Sequence, residues 1–239
     1  MTSDVLRPRA LAAALALLLG ACASAAPART ATAPPSAPAD ATPSAGGGEC
    51  DLAPGTLVNV QSVDRTIRTD VRYATANNFT GAVLPGYERP LAMLRPEAAQ
   101  ALARVHQALR GRGFGLKVFD GYRPVRATLG MVAWAERTGN EWVLEQGYVA
   151  RQSGHNRGGT VDLTLVRLTD GREVEMGTPY DTFNEAAHTA NATGQVAANR
   201  RILLDAMAAQ GFRNYEKEWW HFSFTGTYPP LDVPLRCFR

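Results

Sequence analysis

The stretch from Ser153 to Leu168 constrains the fold of this chain more than any other. It opens Ser153-Gly154-His155-Asn156-Arg157-Gly158-Gly159, and the paired glycines argue against a helix. From Thr160 onward, Val161, Leu163 and Leu165 alternate with Thr160, Asp162 and Thr164. That period of two predicts a strand with one apolar face, and Asp162 lies on the other. A glycine-rich loop entering such a strand can bring His155 and Asp162 to one point, because glycine lets the backbone curl closely around an ion.

Helices and strands interleave around this segment. Arg95-Pro96-Glu97 opens a helix, with proline suited to the first position and glutamate to the positive end of the dipole. Ala98, Leu102, Val105 and Leu109 recur at helical spacing, and Gly111 and Gly113 end the run. His106 flanks that stripe without an acidic or histidine companion, so it is expected at the helix surface or boundary and not on a metal. Leu116 to Phe119 reads as a short strand leading into Asp120-Gly121-Tyr122-Arg123-Pro124, then a helix from Val125 to Thr138. A further helix spans Val196 to Gln210, with Ile202, Leu203, Ala206 and Met207 facing the core. Leu52 to Val71 suits short strands or extended chain, and Trp219 to Phe224 forms a last strand. The pattern predicts one α+β domain over residues 50 to 239, a central antiparallel sheet flanked by helices.

The N-terminus has a different character. Arg7 and Arg9 precede the apolar run Leu11 to Leu19, which ends in Leu19-Gly20-Ala21-Cys22. Residues 1–21 are expected to be a lipoprotein signal peptide and Cys22 the lipidated residue, anchoring the protein to a membrane that no segment of it spans. Residues 22–49, almost wholly Ala, Pro, Thr, Ser and Gly, form a disordered tether. The expected location is the cell envelope, on the periplasmic side of a bacterial membrane. An oxidising compartment favours a Cys50–Cys237 disulfide closing nearly the whole domain, stabilising by about 4 to 5 kcal/mol on the chain-entropy model. The formal net charge is only +3, with arginines scattered along the chain, so nothing marks a nucleic-acid partner. Nor does any feature mark a protein partner.

Near the C-terminus stands Glu218-Trp219-Trp220-His221-Phe222. His155, Asp162 and His221 supply three ligands and leave a fourth position for water, the catalytic zinc pattern with one ion per chain. Glu218 is the spare carboxylate that accepts a proton from water and passes it to the leaving amine. Glu218 and His221 would face opposite sides of a regular strand, so Glu218 is predicted at a turn or bulge just before it. Arg123, on a turn held by Pro124, is the cation for a developing oxyanion. His188 is left out, because three ligands and water already complete the pattern.

The segments Ser153 to Asp162, Asp120 to Pro124 and Glu218 to Phe222 resemble the D-alanyl-D-alanine dipeptidases, the vancomycin-resistance type of zinc peptidase. The resemblance runs in order from about Val71 through Phe222. It includes Tyr73 with Asn77-Asn78-Phe79-Thr80-Gly81, Met176-Gly177-Thr178-Pro179-Tyr180-Asp181, and Asn199-Arg200-Arg201 with Gly211-Phe212. It implies the same ligands, Glu218 as base and Arg123 as transition-state arginine. It also implies that Tyr73 and Asp181 hold the free amine of the small dipeptide substrate D-Ala-D-Ala, with Ser153 in the substrate site. Thr160 is bulkier than the alanine usual at its place. A carboxypeptidase trimming D,D or L,D bonds of peptidoglycan stems is the alternative enzyme; a non-catalytic cell-wall binding protein is the alternative outside catalysis.

Overall fold

The computed structural model describes residues 48–238. The expected signal peptide, Cys22 and the tether as far as residue 47 lie outside the described residues. In chain order the elements are β1 (Val58–Asn59), α1 (Val60–Val63), β2 (Arg68–Thr69), β3 (Met93–Leu94), α2 (Pro96–Arg110), β4 (Phe114–Asp120), α3 (Val125–Thr138), α4 (Trp142–Glu145), β5 (Thr160–Arg167), α5 (Gly194–Ala208), β6 (Phe212–Asn214) and β7 (His221–Phe224). Short 3-10 turns fill several connections.

The main sheet runs β2-β4-β5-β7-β6, and β1 pairs with β3 separately. The fold is α+β as expected. The sheet is antiparallel except at one edge, where β2 lies parallel to β4. That edge is the difference from the predicted all-antiparallel sheet, and two residues of β2 are too short a run to announce a direction. Leu52 to Val71 also contains the single turn α1, which the loose alternation did not indicate.

The helix α2 begins at Pro96 and buries Leu102, Val105 and Leu109. Each such side chain contributes about 1.5–3 kcal/mol of apolar burial. His106 corrects the expectation of a surface or boundary position, since it is only 1% exposed. Its Nδ1 accepts from the Leu116 N–H at 3.1 Å, and Nε2 lies 2.9 Å from the Thr66 hydroxyl. The short β2 leaves this edge of β4 open, and the imidazole supplies the missing acceptor.

Register positions the site. Asp162 on β5 pairs directly with His221 on β7. On the other side Val118 pairs with Leu163, yet Asp120 pairs with Asp162, so β4 carries a bulge at Phe119. Without it Asp120 would fall opposite Val161 and share the apolar face. The bulge turns Asp120 onto the face of Asp162.

The C-terminal segment straps the domain. Leu231 N donates to Asn156 O at 2.8 Å, and the Tyr122 hydroxyl bridges both the N–H and the carbonyl of Val233. Cys237 is disulfide-bonded to Cys50, as expected. Beside this bridge Glu49 pairs with Arg126 and Arg236, so ordered contacts begin before the disulfide.

Candidate metal centre

His155 sits on a 3-10 turn, Gly154–Arg157, not in a shapeless loop. Ser153 caps it: its Oγ accepts from His155 N at 3.2 Å, and its N–H donates to Asn156 Oδ1 at 3.1 Å. Asn156 Nδ2 donates to the Arg123 carbonyl at 2.9 Å, tying this turn to the one that carries Arg123. Thr160 packs against Gly154, where a Cβ would lie 2.6 Å from its Oγ1. Only glycine fits over the bulkier residue.

His155 donates through Nδ1 to Gly121 O at 2.7 Å, which leaves Nε2 as a lone-pair donor. Nε2 faces His221 Nδ1 at 3.3 Å and Asp162 Oδ1 at 3.3 Å, and the last two atoms are 3.1 Å apart. An ion held at about 2.0–2.1 Å with tetrahedral angles needs donors about 3.3 Å apart. Asp162 Oδ1 is buried and has no hydrogen-bond partner, a state that burial penalises unless a cation satisfies it. The three residues therefore fit a metal ion. Among the described residues they are the one such group of histidine, cysteine and carboxylate side chains.

Glu218 stands where the chemistry required, in the turn between β6 and β7. Its N–H donates to Tyr215 O and its carbonyl accepts from His221 N. The strand starts at His221, so the expected strand from Trp219 begins two residues late; Trp219 and Trp220 belong to the turn and are buried. Glu218 Oε2 lies 3.5 Å from His221 Nδ1. Burial, with Asp162 and Asp181 nearby, pushes its carboxyl well above the ordinary carboxylate range.

Arg123 is fixed by Asp120, a residue to which the sequence reading gave no role. Its Nε and Nη2 donate to Asp120 Oδ2 at 3.0 and 2.9 Å, while Tyr87 donates to Oδ1 at 2.5 Å. Burial alone would discourage the guanidinium's charge, but Asp120 beside it holds the charge firmly. Arg123 also lies over the Tyr73 ring, 5.0 Å from its centroid.

Tyr73 donates to Asp181 at 3.0 Å. Asp181 is the sole non-glycine with positive φ among the described residues, at 59°, a backbone placement that costs energy and marks sites held in place by their surroundings. Burial and Asp162 push its carboxyl up to about 8. Tyr73, Arg123, Ser153, His155, Asp162, Glu218 and His221 line one cavity of about 370 Å³, and Asp181 reaches it through the Tyr73 hydroxyl. His188 lies apart from the cluster, 2.9 Å from the Tyr148 hydroxyl. The sequence reading also passed over Tyr180 and Asn156, although each is a direct neighbour of a residue it singled out or sits inside the histidine motif.

Two imidazoles and a carboxylate converging on one point, with a second carboxylate held beside them in a cavity, define a metal-dependent hydrolase. Residues 54–238 match the Peptidase_M15 family model, described as D-ala-D-ala dipeptidase. The chain belongs to this family of metallopeptidases. It is 37% identical to the D-alanyl-D-alanine dipeptidase of Streptomyces coelicolor over 199 residues, covering 76% of this chain and 98% of that one. It is 38% identical over 189 residues to that of Enterococcus faecium, covering 71% and 93%. With that of Escherichia coli it shares 32% identity over 186 residues, covering 76% and 92%.

Proposed function

We propose that this protein hydrolyses the dipeptide D-Ala-D-Ala to two D-alanines, using one zinc ion held by His155, Asp162 and His221. The observation that carries the reading is the buried, unpartnered Asp162 Oδ1 set among two imidazole nitrogens at 3.1 and 3.3 Å. Relatives named D-alanyl-D-alanine dipeptidase, aligned over most of their own length, support the substrate. A zinc ion bound there supplies Lewis acidity and lowers the pKa of water at its open position.

The remaining work falls to side chains. Glu218 takes a proton from the attacking water and hands it to the departing amine; its raised proton affinity suits both halves of the task. Arg123, held rigidly by Asp120, offers its positive charge to the oxygen that becomes negative as the peptide carbonyl is attacked. Tyr73 and Asp181 receive the free ammonium of the dipeptide, and Ser153 borders the same cavity. A longer peptide has no ammonium at that place and leaves the pair unmatched, so the cavity selects dipeptides.

The reading extends to location. Residues 1–21 direct export, Cys22 carries lipid, and residues 22–49 tether the domain on the periplasmic side of a bacterial membrane. The basic-then-apolar N-terminus, the Leu19-Gly20-Ala21-Cys22 run and a disulfide suited to an oxidising compartment support it.

The decisive assay compares substrates on purified protein loaded with zinc. D-alanine release is expected from D-Ala-D-Ala and not from an intact stem pentapeptide; efficient pentapeptide trimming would transfer the reading to a carboxypeptidase. Glu218→Ala should keep its zinc and lose about 10²–10⁴-fold in kcat. Zinc retained with unchanged activity would remove Glu218 from the role of base.

A further inference from the structure

We infer that Tyr180 is a positioning residue that makes Asp162 face the metal with a single oxygen, an inference that rests on reading His155, Asp162 and His221 as the ligands. A carboxylate has two equivalent oxygens, and a strand side chain does not dictate which of them meets an ion. Here the two have separate surroundings. Oδ1 turns toward the imidazoles, and Oδ2 accepts from the Tyr180 hydroxyl at 3.0 Å.

Among the described residues the Tyr180 phenol is the one hydrogen-bond donor to Oδ2. The nearest cation, Arg123 Nη2, is 3.8 Å away and already bound to Asp120. The phenol has little freedom to leave. Its ring stacks on Phe119 at 4.6 Å, the bulge residue of β4, and meets the edge of Trp220 at 5.5 Å.

Proton counting sharpens the assignment. The Tyr180 hydroxyl also lies 3.0 Å from the Tyr73 hydroxyl, which in turn lies 3.0 Å from Asp181. Each phenol has one proton to give, and an ionised ligand carboxylate can only accept. The Oδ2 contact is attractive when the Tyr180 proton points to it, so that proton is not also given to the Tyr73 hydroxyl. Tyr180 thus serves the metal side of this chain of hydroxyls, and Tyr73 the side of Asp181.

With Oδ2 engaged, Asp162 gives the ion one oxygen and leaves room for water and substrate. Losing the hydroxyl frees Oδ2 to compete for that room. Outer hydrogen bonds to metal ligands commonly change metal affinity by about 10- to 100-fold.

The test measures zinc affinity by chelator competition in wild type, Tyr180→Phe, Tyr73→Phe and Asp162→Ala. Tyr180→Phe keeps the ring and its stacking, and the melting temperature of its zinc-free form checks that the packing survives. It should bind zinc about 10- to 100-fold more weakly, while Tyr73→Phe stays within about threefold of wild type, since it does not touch a ligand. In the cobalt-substituted protein, Tyr180→Phe should also weaken the visible absorption, as a second carboxylate oxygen raises the coordination number. Unchanged zinc affinity and an unchanged cobalt spectrum in Tyr180→Phe, with Asp162→Ala severely weakened, overturn this inference alone. Zinc affinity that is indifferent to Asp162→Ala overturns the ligand reading beneath it.

Discussion

The Cys50–Cys237 bridge allows a stability effect to be worked out in advance. The two residues are 187 apart in sequence. On the chain-entropy model a loop of that size removes about 18 cal/mol/K from the unfolded ensemble, or about 5 kcal/mol at 25 °C. A domain of ordinary stability has about 5–15 kcal/mol in all, so the bridge is a third or more of the total. The native contacts it holds are local: the strap whose Leu231 bonds Asn156 and whose Val233 bonds Tyr122. The Cys50→Ser, Cys237→Ser double variant, compared with wild type by urea denaturation in the zinc-free state, should lose about 3–5 kcal/mol. Hydrogen exchange should rise first at Leu231 and Val233. A loss below about 1 kcal/mol with an unchanged denaturant slope would refute the entropic argument and mean that the unfolded ends already lie close together.

Two further outcomes are expected. Asp181 has its carboxyl pushed up to about 8 in the folded protein, against about 3.9 in an unfolded chain. The stabilising proton is fully present below the unfolded value and is lost as pH rises through about 8, so the zinc-free protein should weaken across that window. Asp181→Asn cannot ionise, still accepts from Tyr73 and tolerates a positive φ. It should therefore melt with wild type at pH 4 and above it at pH 9, by about 2–3 kcal/mol after discounting for the carboxyl's partial exposure; equal melting at pH 9 would count against the burial argument. In bacteria that process lipoproteins, wild-type protein should incorporate labelled fatty acid and Cys22→Ala should not, and label retained in the variant would dismiss the anchor.

Much of this molecule was legible in the sequence because its signals are local. Pro96 and Gly111 bracket α2, the period of two marks β5, and Val125 to Thr138 is helical throughout as read. The placement of Glu218 followed from asking it to share a site with His221: a carboxylate and an imidazole three residues apart cannot share a strand face, so Glu218 was due at a turn or bulge before the strand, and it lies in the turn. What escaped depends on partners distant in sequence. His106 is buried because β2, some forty residues earlier, leaves an amide of β4 unpaired. Tyr180 reaches Asp162 through a loop whose path no periodicity reveals. Asp120 gave the one hint available, a carboxylate following Val118 and Phe119 at a position where alternation alone would have sent it into the apolar layer.

That hint has a wider consequence. Which side of a sheet a residue serves is a matter of odd and even counting, and the bulge at Phe119 changes the parity of everything after it in β4. Asp120, Asp162 and His221 form a single row across three strands because one strand carries one residue more than its neighbour. Pairing Phe119 regularly in the ladder would leave every side chain of the site present in the chain, yet deliver Asp120 to the face of Val161 and set Arg123 adrift from its partner. The row of the site therefore depends on Phe119 standing outside the ladder, where its ring is free to stack on Tyr180.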